Sequence, residues 1–185
     1  EERDRDLLRA YELAQPKGVR GQMPLHIPYR HLVQVVQITN NFDVMLEILK
    51  RSEHLSEIRD EDAELLRERA RCVRFWLDNF APEEVKFKVA PALPTCELSD
   101  AEVRFLREVH AKLLSVEWNG DRIHDLVYEC AKGSGLGAKG GFQVMYSIFI
   151  NKRQGPRLGY FLSTLDRDFV LRRIEEAFDP SCRVP

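Results

Sequence analysis

Apolar residues recur at three- and four-residue spacing along almost the whole chain, and this periodicity constrains the fold more than any other feature. Tyr29, Leu32, Val33 and Val36 form one stripe, and Ala63, Leu66, Ala70, Val73, Leu77 and Phe80 form another. In the second half the spacing returns at Ile123, Leu126, Val127 and Cys130, at Phe142, Met145, Tyr146, Phe149 and Ile150, and at Val170, Leu171, Ile174, Ala177 and Phe178. Such spacing puts apolar side chains on one face of an α-helix, which must be buried against another helix. Strict alternation, the mark of a half-buried strand, occurs only at Val85, Phe87 and Val89. A lone short strand has no partner, so this segment reads as extended linker. The expected fold class is all-α, a helical bundle.

Punctuation agrees with the stripes. Pro28 suits the first helical position, Asp60 precedes a helix, and Ser99 with Glu102 has capping-box spacing, each a way of satisfying or dispensing with free backbone N–H groups at a helix start. Lys86 to Thr95 contains Pro91 and Pro94 and carries no helical stripe. It is the expected boundary between an N-terminal helical subdomain, residues 1–90, and a C-terminal one, residues 91–185. Leu7, Leu8 and Tyr11 to Leu13 already run in helical register with no capping signal before them, as in a chain continuing from something longer.

With 185 residues, 44% of them hydrophobic, the chain can bury a substantial core. A net charge of -2 excludes a surface that is basic all round, so any nucleic-acid contact must be local. Cys72, Cys96, Cys130 and Cys182 include no close pair for one side of a zinc site, and four reduced thiols of a cytoplasmic protein are expected. No apolar run is long enough for a membrane span.

Three constellations bear on chemistry. Gly133, Gly135, Gly137, Gly140 and Gly141 surround Lys139, but a nucleotide phosphate loop needs Ser or Thr after its lysine and a strand before its glycines; this cluster reads as an inter-helix hinge or as a loop touching nucleic-acid backbone. His124-Asp125, with His110 and Asp166, has a faint likeness to the metal ligands of HD phosphohydrolases without the spacing to complete a site, and His26 and His31 would not share a helix face. No metal ligand or catalytic residue is assigned. From Cys130 to Leu165, finally, Lys132, Lys139, Lys152, Arg153 and Arg157 occur with no acidic residue among them, interleaved with Tyr146, Phe149, Tyr160 and Phe161. Cations for phosphates beside ring faces for unstacked bases suit a single-stranded nucleic-acid loop. Phe149 falls on the core stripe, as Tyr146 partly does, and Trp76 and Trp118 read as core or boundary anchors.

The run GPRLGYFLSTLDRDFVLRRI, Gly155 to Ile174, resembles the C-terminal signature of class I lysyl-tRNA synthetases. IPYRHLV at Ile27 to Val33, FAPEEVKF at Phe80 to Phe87 and IHDLVYECAK at Ile123 to Lys132 also look like that family's C-terminal region, in the expected order over nearly the whole chain. The last segment is similar in outline to glutamyl-tRNA synthetases, where a Gly/Pro turn followed by Leu opens a helix near the anticodon. Asn151 stands where a glycine often precedes the Lys152 position, and Gly140-Gly141 is unusual at the start of its helix.

The resemblance implies an anticodon-binding domain of the α-helix cage type. It implies a partner, lysine tRNA with a U-rich anticodon loop, and tRNA-binding residues Lys139, Tyr146, Lys152, Arg153, Gly155, Pro156, Arg157, Leu158 and Tyr160. Aminoacylation, with its ATP and Mg, would belong to a catalytic half whose HIGH-like and KMSKS-like elements are not in these residues, so no cofactor is expected here. A cytoplasmic monomer that does not meet membranes is expected. Two other readings compete: a helical protein-interaction scaffold docking through the acidic helix from Glu53 to Arg71, and an HD-type metallohydrolase.

Overall fold

A computed structural model describes residues 2–14, 25–53, 55–95 and 97–179. Among them the chain forms nine α-helices and no strand: α1 (Glu2–Leu13), α2 (Tyr29–Ile38), α3 (Phe42–Ser52), α4 (Asp60–Asn79), α5 (Asp100–Leu113), α6 (Gly120–Gly133), α7 (Gly137–Ile150), α8 (Leu158–Thr164) and α9 (Arg167–Phe178). None of these helices is long and apolar enough to cross a membrane. The all-α architecture follows from the stripes, most of whose residues supply the buried faces of their helices, although Tyr29 at the start of the first is 51% exposed.

The helix ends show how local chemistry sets the boundaries. Ser99 and Glu102 form the reciprocal capping box at the start of α5. Asn41 caps α3, Asn119 caps α6 and Asp166 caps α9, each side chain accepting from backbone N–H groups of the first turn. Pro28 and Asp60 are each one position from their expected places: Pro28 is the residue before α2, and Asp60 is the first residue of α4.

Apolar faces gather into two clusters. One is built on Leu32, Val35, Leu49, Leu66 and Val73 from α2, α3 and α4 with Ile27 just before α2, and the other on Phe105, Ile123, Met145, Phe149, Phe161 and Ile174 from α5 to α9. Ile38, at the end of α2, packs against both. The segment Val85 to Val89 is extended as expected, but it is not a free linker. Val85 packs on the first cluster while Phe87 and Val89 pack on the second, and the Phe87 N–H donates to Gln37 Oε1 at 2.8 Å. Its alternation serves two cores rather than the two faces of a sheet. Phe80 departs from its expected stripe: α4 stops at Asn79, so Phe80 turns outward, 68% exposed, against Phe75.

The glycine cluster divides likewise. Gly135 and Gly137 have positive φ of 82° and 69° and make the α6–α7 turn, where only glycine is unstrained. Gly140 and Gly141 lie inside α7, so the hinge is shorter than the cluster. A Cβ on Gly141 would overlap that of Ala131, and the glycine is what lets α6 and α7 approach so closely. Every described side chain of α1 from Arg3 onward is exposed.

Backbone carbonyls at helix ends and linkers are bound by basic side chains. Arg51 of α3 donates to the carbonyls of Thr164 and Leu165 at the end of α8, at 2.8 and 3.2 Å, tying the two clusters together. Arg167 donates to Leu113 and Leu114 at the end of α5. The buried Arg173 reaches the carbonyls of Ala90, Pro91, Ala92 and Ile148 at 3.0 to 3.3 Å, fixing the connecting segment against α7. Helix C-termini leave carbonyls without intrahelical partners, and a guanidinium's donor fork satisfies two or more at once.

Candidate nucleic-acid interface

The turn from Asn151 to Arg157 carries most of the residues singled out in the sequence. Asn151 ends α7 in the left-handed conformation, φ 53° and ψ 39°, where glycine is the usual residue and asparagine the best tolerated substitute. Asn151 therefore adopts the conformation that a glycine at this position would favour. Gly155 packs where a Cβ would come within 2.8 Å of the Ile150 side chain and 3.0 Å of the Tyr146 ring. The Tyr146 hydroxyl donates to the Pro156 carbonyl at 2.5 Å, so the turn is held from inside by α7.

Tyr146 is buried, and its hydroxyl is committed to the turn. It shapes the turn from within and does not present its ring to solvent as the sequence expectation requires. Burial pushes its phenol up to about 12. The folded chain thus holds this proton more tightly than the unfolded chain, whose tyrosines ionise near 10. The associated stability is present below pH 10 and lost as pH rises from 10 toward 12. Denaturant unfolding of Tyr146→Phe across this range should lack that part of the alkaline decline, a difference of the order of 2 kcal/mol by pH 12. Parallel pH curves for the two proteins would show that the burial carries no such cost.

Lys152 is also committed. Its Nζ donates to the carbonyls of Glu83 and Lys86 at 3.1 and 2.6 Å, clamping the turn to the segment after α4. Leu158 is buried in the second core. Arg153 is exposed and forms no ion pair or hydrogen bond among the described residues, and the same holds for Lys139. Lys139 lies in the first turn of α7, however, whereas the Asn151–Arg157 turn follows that helix's end. The rise along α7 separates the two by roughly 20 Å, so Lys139 is not brought to the turn.

Arg157 and Tyr160 are brought together, by a residue the sequence reading missed. Asp121, in the first turn of α6, accepts from the Arg157 guanidinium and from the Tyr160 hydroxyl, both at 2.9 Å. Arg157 also lies over the Tyr160 ring, 4.7 Å from its centroid. The hydrogen bond to the Asp121 carboxylate raises the Tyr160 phenol above its ordinary value. A close crossing of α8 on α6 creates this arrangement, since Gly120 faces the Tyr160 ring and Gly159 faces the Gly120 carbonyl. The Arg157–Asp121 pair is about half exposed on both sides, 51% and 58%, so it contributes at most about 1 kcal/mol. A phosphate could displace the carboxylate at little expense.

Beside this pair runs a groove of about 260 Å³ between α2 and α8, with Pro28, Arg30, His31 and Gln34 on one wall, Arg157 and Tyr160 on the other, and Glu53 at its end. Its walls come from opposite ends of the chain, and no spacing in the sequence signals it. The histidines and acids of the other constellation have separate structural places. His124 packs on Phe142, His110 packs on Phe178, and Asp166 caps α9. Among the described residues no group of three or more His, Cys, Asp or Glu could hold a metal ion. Cys72 and Cys130 are free thiols, whereas Cys96 and Cys182 lie outside the described residues.

The chain is 34% identical over 171 residues to a lysine–tRNA ligase of Picrophilus torridus, a match covering 92% of this chain and 32% of that protein. It is 36% identical over 155 residues to a lysine–tRNA ligase of Thermoplasma acidophilum, covering 84% of this chain and 30% of the relative. A lysine–tRNA ligase of Thermococcus kodakarensis is 34% identical over 176 residues, or 94% and 33% of the two chains. The chain therefore spans about a third of the length of these relatives. A family model described as "Anticodon binding domain" matches residues 30–178, which include all of the second apolar cluster, all of the first but Ile27, the Asn151–Arg157 turn and the Arg157–Tyr160 pair; this chain belongs to the anticodon-binding domain family.

Proposed function

We propose that this chain is the tRNA-binding part of a class I lysine–tRNA ligase, and that it reads the U-rich anticodon loop of lysine tRNA while ATP-dependent aminoacylation belongs to the remainder of that enzyme. The observation that carries this reading is the pairing of Arg157 with Tyr160 on the Gly155-Pro156-Arg157-Leu158 turn: an exposed guanidinium held over an aromatic ring, on the same turn as Arg153, a cation with no ion pair among the described residues. Phosphates need the charge and unstacked bases need flat surfaces. The two apolar clusters support a division into subdomains near residue 90, with the turn on the C-terminal one. A cytoplasmic monomer is part of the same proposal.

A labelled anticodon stem-loop with uridines in the anticodon should bind more tightly than one with the central uridine replaced, by the roughly 1–3 kcal/mol typical of a directly read base. Equal affinities across a range of salt would leave only electrostatic binding and sink the sequence-reading role.

Arg157→Ala separates folding from binding. The pair it loses is exposed, so stability should change by less than about 1 kcal/mol. Affinity should fall. If the guanidinium meets a phosphate, all loops weaken alike and the salt slope shrinks by about 0.7, one single-strand counterion's share. If it reads a uracil edge, discrimination falls as well. Unchanged binding at every salt concentration would remove Arg157 from the interface.

A further inference from the structure

Two residues that line the groove between α2 and α8 each hold a buried polar atom without a partner among the described residues. His31 and Gln34 are 6% and 5% exposed, and neither His31 Nδ1 nor Gln34 Oε1 has a hydrogen bond to any of the described residues. Both residues sit on the groove wall, one helical turn apart on α2. Buried polar atoms are satisfied in the great majority of cases, and leaving two orphaned side by side opposes folding. Such a pair marks a place where an incoming molecule supplies the missing bonds.

The chemistry of that molecule follows from the atoms. His31 Nε2 lies 2.8 Å from Ser52 Oγ and 3.6 Å from Glu53 Oε1. With a carboxylate beside it, Nε2 is the favoured place for the ring proton, which leaves Nδ1 as an acceptor. Burial lowers the His31 imidazole below its ordinary range and keeps it neutral. Gln34 Oε1 is an acceptor too, with the amide N–H₂ of the same side chain beside it. The groove thus calls for two donors, one of them next to a carbonyl. A metal or ammonium ion would meet acceptors here, but Arg157 on the facing wall and Arg30 on the near wall disfavour a cation. Those two arginines suit a neutral ring attached to an anionic backbone.

Size narrows the choice further. About 260 Å³ falls just short of the roughly 300 Å³ at which drug-sized pockets begin, which is room for one base and not for a stacked pair. The Arg157 guanidinium, braced over the Tyr160 ring, supplies a flat cationic surface on which a base can stack.

We propose that this groove takes one splayed-out uridine of the RNA loop, with Gln34 accepting from the base imino N–H and donating to its carbonyl, His31 accepting from the ribose 2′-hydroxyl, and Arg157 stacked on the ring. The proposal rests on the anticodon-binding reading above and deepens it. It makes the junction of α2 with α8 a base pocket, and it gives the chain a means of telling ribose from deoxyribose at one nucleotide.

The test uses a stem-loop RNA with uridine at all three anticodon positions, in which each uridine in turn is replaced by 3-methyluridine, which lacks the imino N–H, or by 2′-deoxyuridine. Wild-type chain should lose about tenfold in affinity for 3-methyluridine at one position and severalfold for the deoxy substitution at the same position. Gln34→Met should abolish the first penalty there, and His31→Phe the second. In parallel, 4-thiouridine at that position should photocrosslink wild-type chain at α2 or Tyr160, a readout that does not depend on any variant folding. If the uridine loop binds but no position responds to 3-methylation, or if Gln34→Met binds with the full penalty intact, the pocket is wrong while the anticodon reading stands. Crosslinks confined to other surfaces overturn the pocket in the same way. Failure of wild-type chain to bind any loop overturns both.

Discussion

Replacing Gly159 by alanine should destabilise the chain by about 3 kcal/mol or more, the upper end of overpacking penalties. A Cβ built at Gly159 overlaps the Gly120 carbonyl oxygen and comes within 2.6 Å of the His124 backbone nitrogen. Both obstacles are main chain of α6, so no side-chain rotamer can relieve them and the two helices must separate. Separation would open the core around Leu158, Phe161 and Ile123, all buried at this crossing. For a chain of this size the loss corresponds to a fall in melting temperature of roughly 6–12 °C. Gly133→Ala is the matching control, because nothing lies within 4 Å of a Cβ there. That variant should be neutral or up to about 1 kcal/mol more stable, from helix propensity alone. Thermal or denaturant unfolding of the pair decides the matter: equal stabilities would mean that α8 can lift off α6 at no cost. Gly159→Ala should also disturb the proposed RNA binding, since Arg157 precedes and Tyr160 lies on the same helix.

Arg173→Met is the second substitution with a large expected effect, a loss of about 3 kcal/mol. Arg173 is 3% exposed and donates to four backbone carbonyls, three of them in the segment Ala90 to Ala92 and the fourth at Ile148. It also lies over the Phe169 ring and within 3.6 Å of a Glu176 carboxylate oxygen. Methionine keeps much of the side-chain volume but leaves the carbonyls without donors, and an unmet buried acceptor costs about 1–3 kcal/mol. The penalty is below the sum over four groups because a groove beside Pro91 and Arg173 admits water. Arg173→Lys should recover only part of the loss, since a single ammonium cannot span all four acceptors. Equilibrium unfolding of the three proteins would overturn the assignment if the methionine variant matched the parent.

Helix identity was legible because it depends on local periodicity. The stripes at Leu66, Ala70, Val73 and Leu77 and at Val170 and Ile174 are buried as their spacing requires, and the Ser99–Glu102 box closes as its residue types require. Legibility fails where the outcome depends on what lies across from a residue. Lys152 and Arg153 are adjacent cations of the same type in the sequence. Only the fold sets Lys152 against the carbonyls of Glu83 and Lys86 while Arg153 faces solvent. Tyr146 reads equally as a base platform or a core residue until Pro156 takes its hydroxyl. Asp121 carried no signal beyond its place after an Asn-Gly start, yet it orients both Arg157 and Tyr160. The groove was out of reach for the same reason: Gln34 and Tyr160 become neighbours only after two helical clusters dock.

The preference of basic side chains for main-chain oxygens separates the protein's own architecture from the RNA chemistry proposed for it. Arg51, Lys152, Arg167 and Arg173 hold helix ends and linkers through backbone carbonyls, acceptors that carry no titratable charge. Acid cannot protonate those acceptors away, and added electrolyte weakens such short dipolar bonds far less than it weakens attraction to a polyanion. Brine that strips RNA from the surface should therefore leave the helices docked. An elution gradient then measures the interface alone, and chain recovered at high ionic strength should return to low salt ready to bind again.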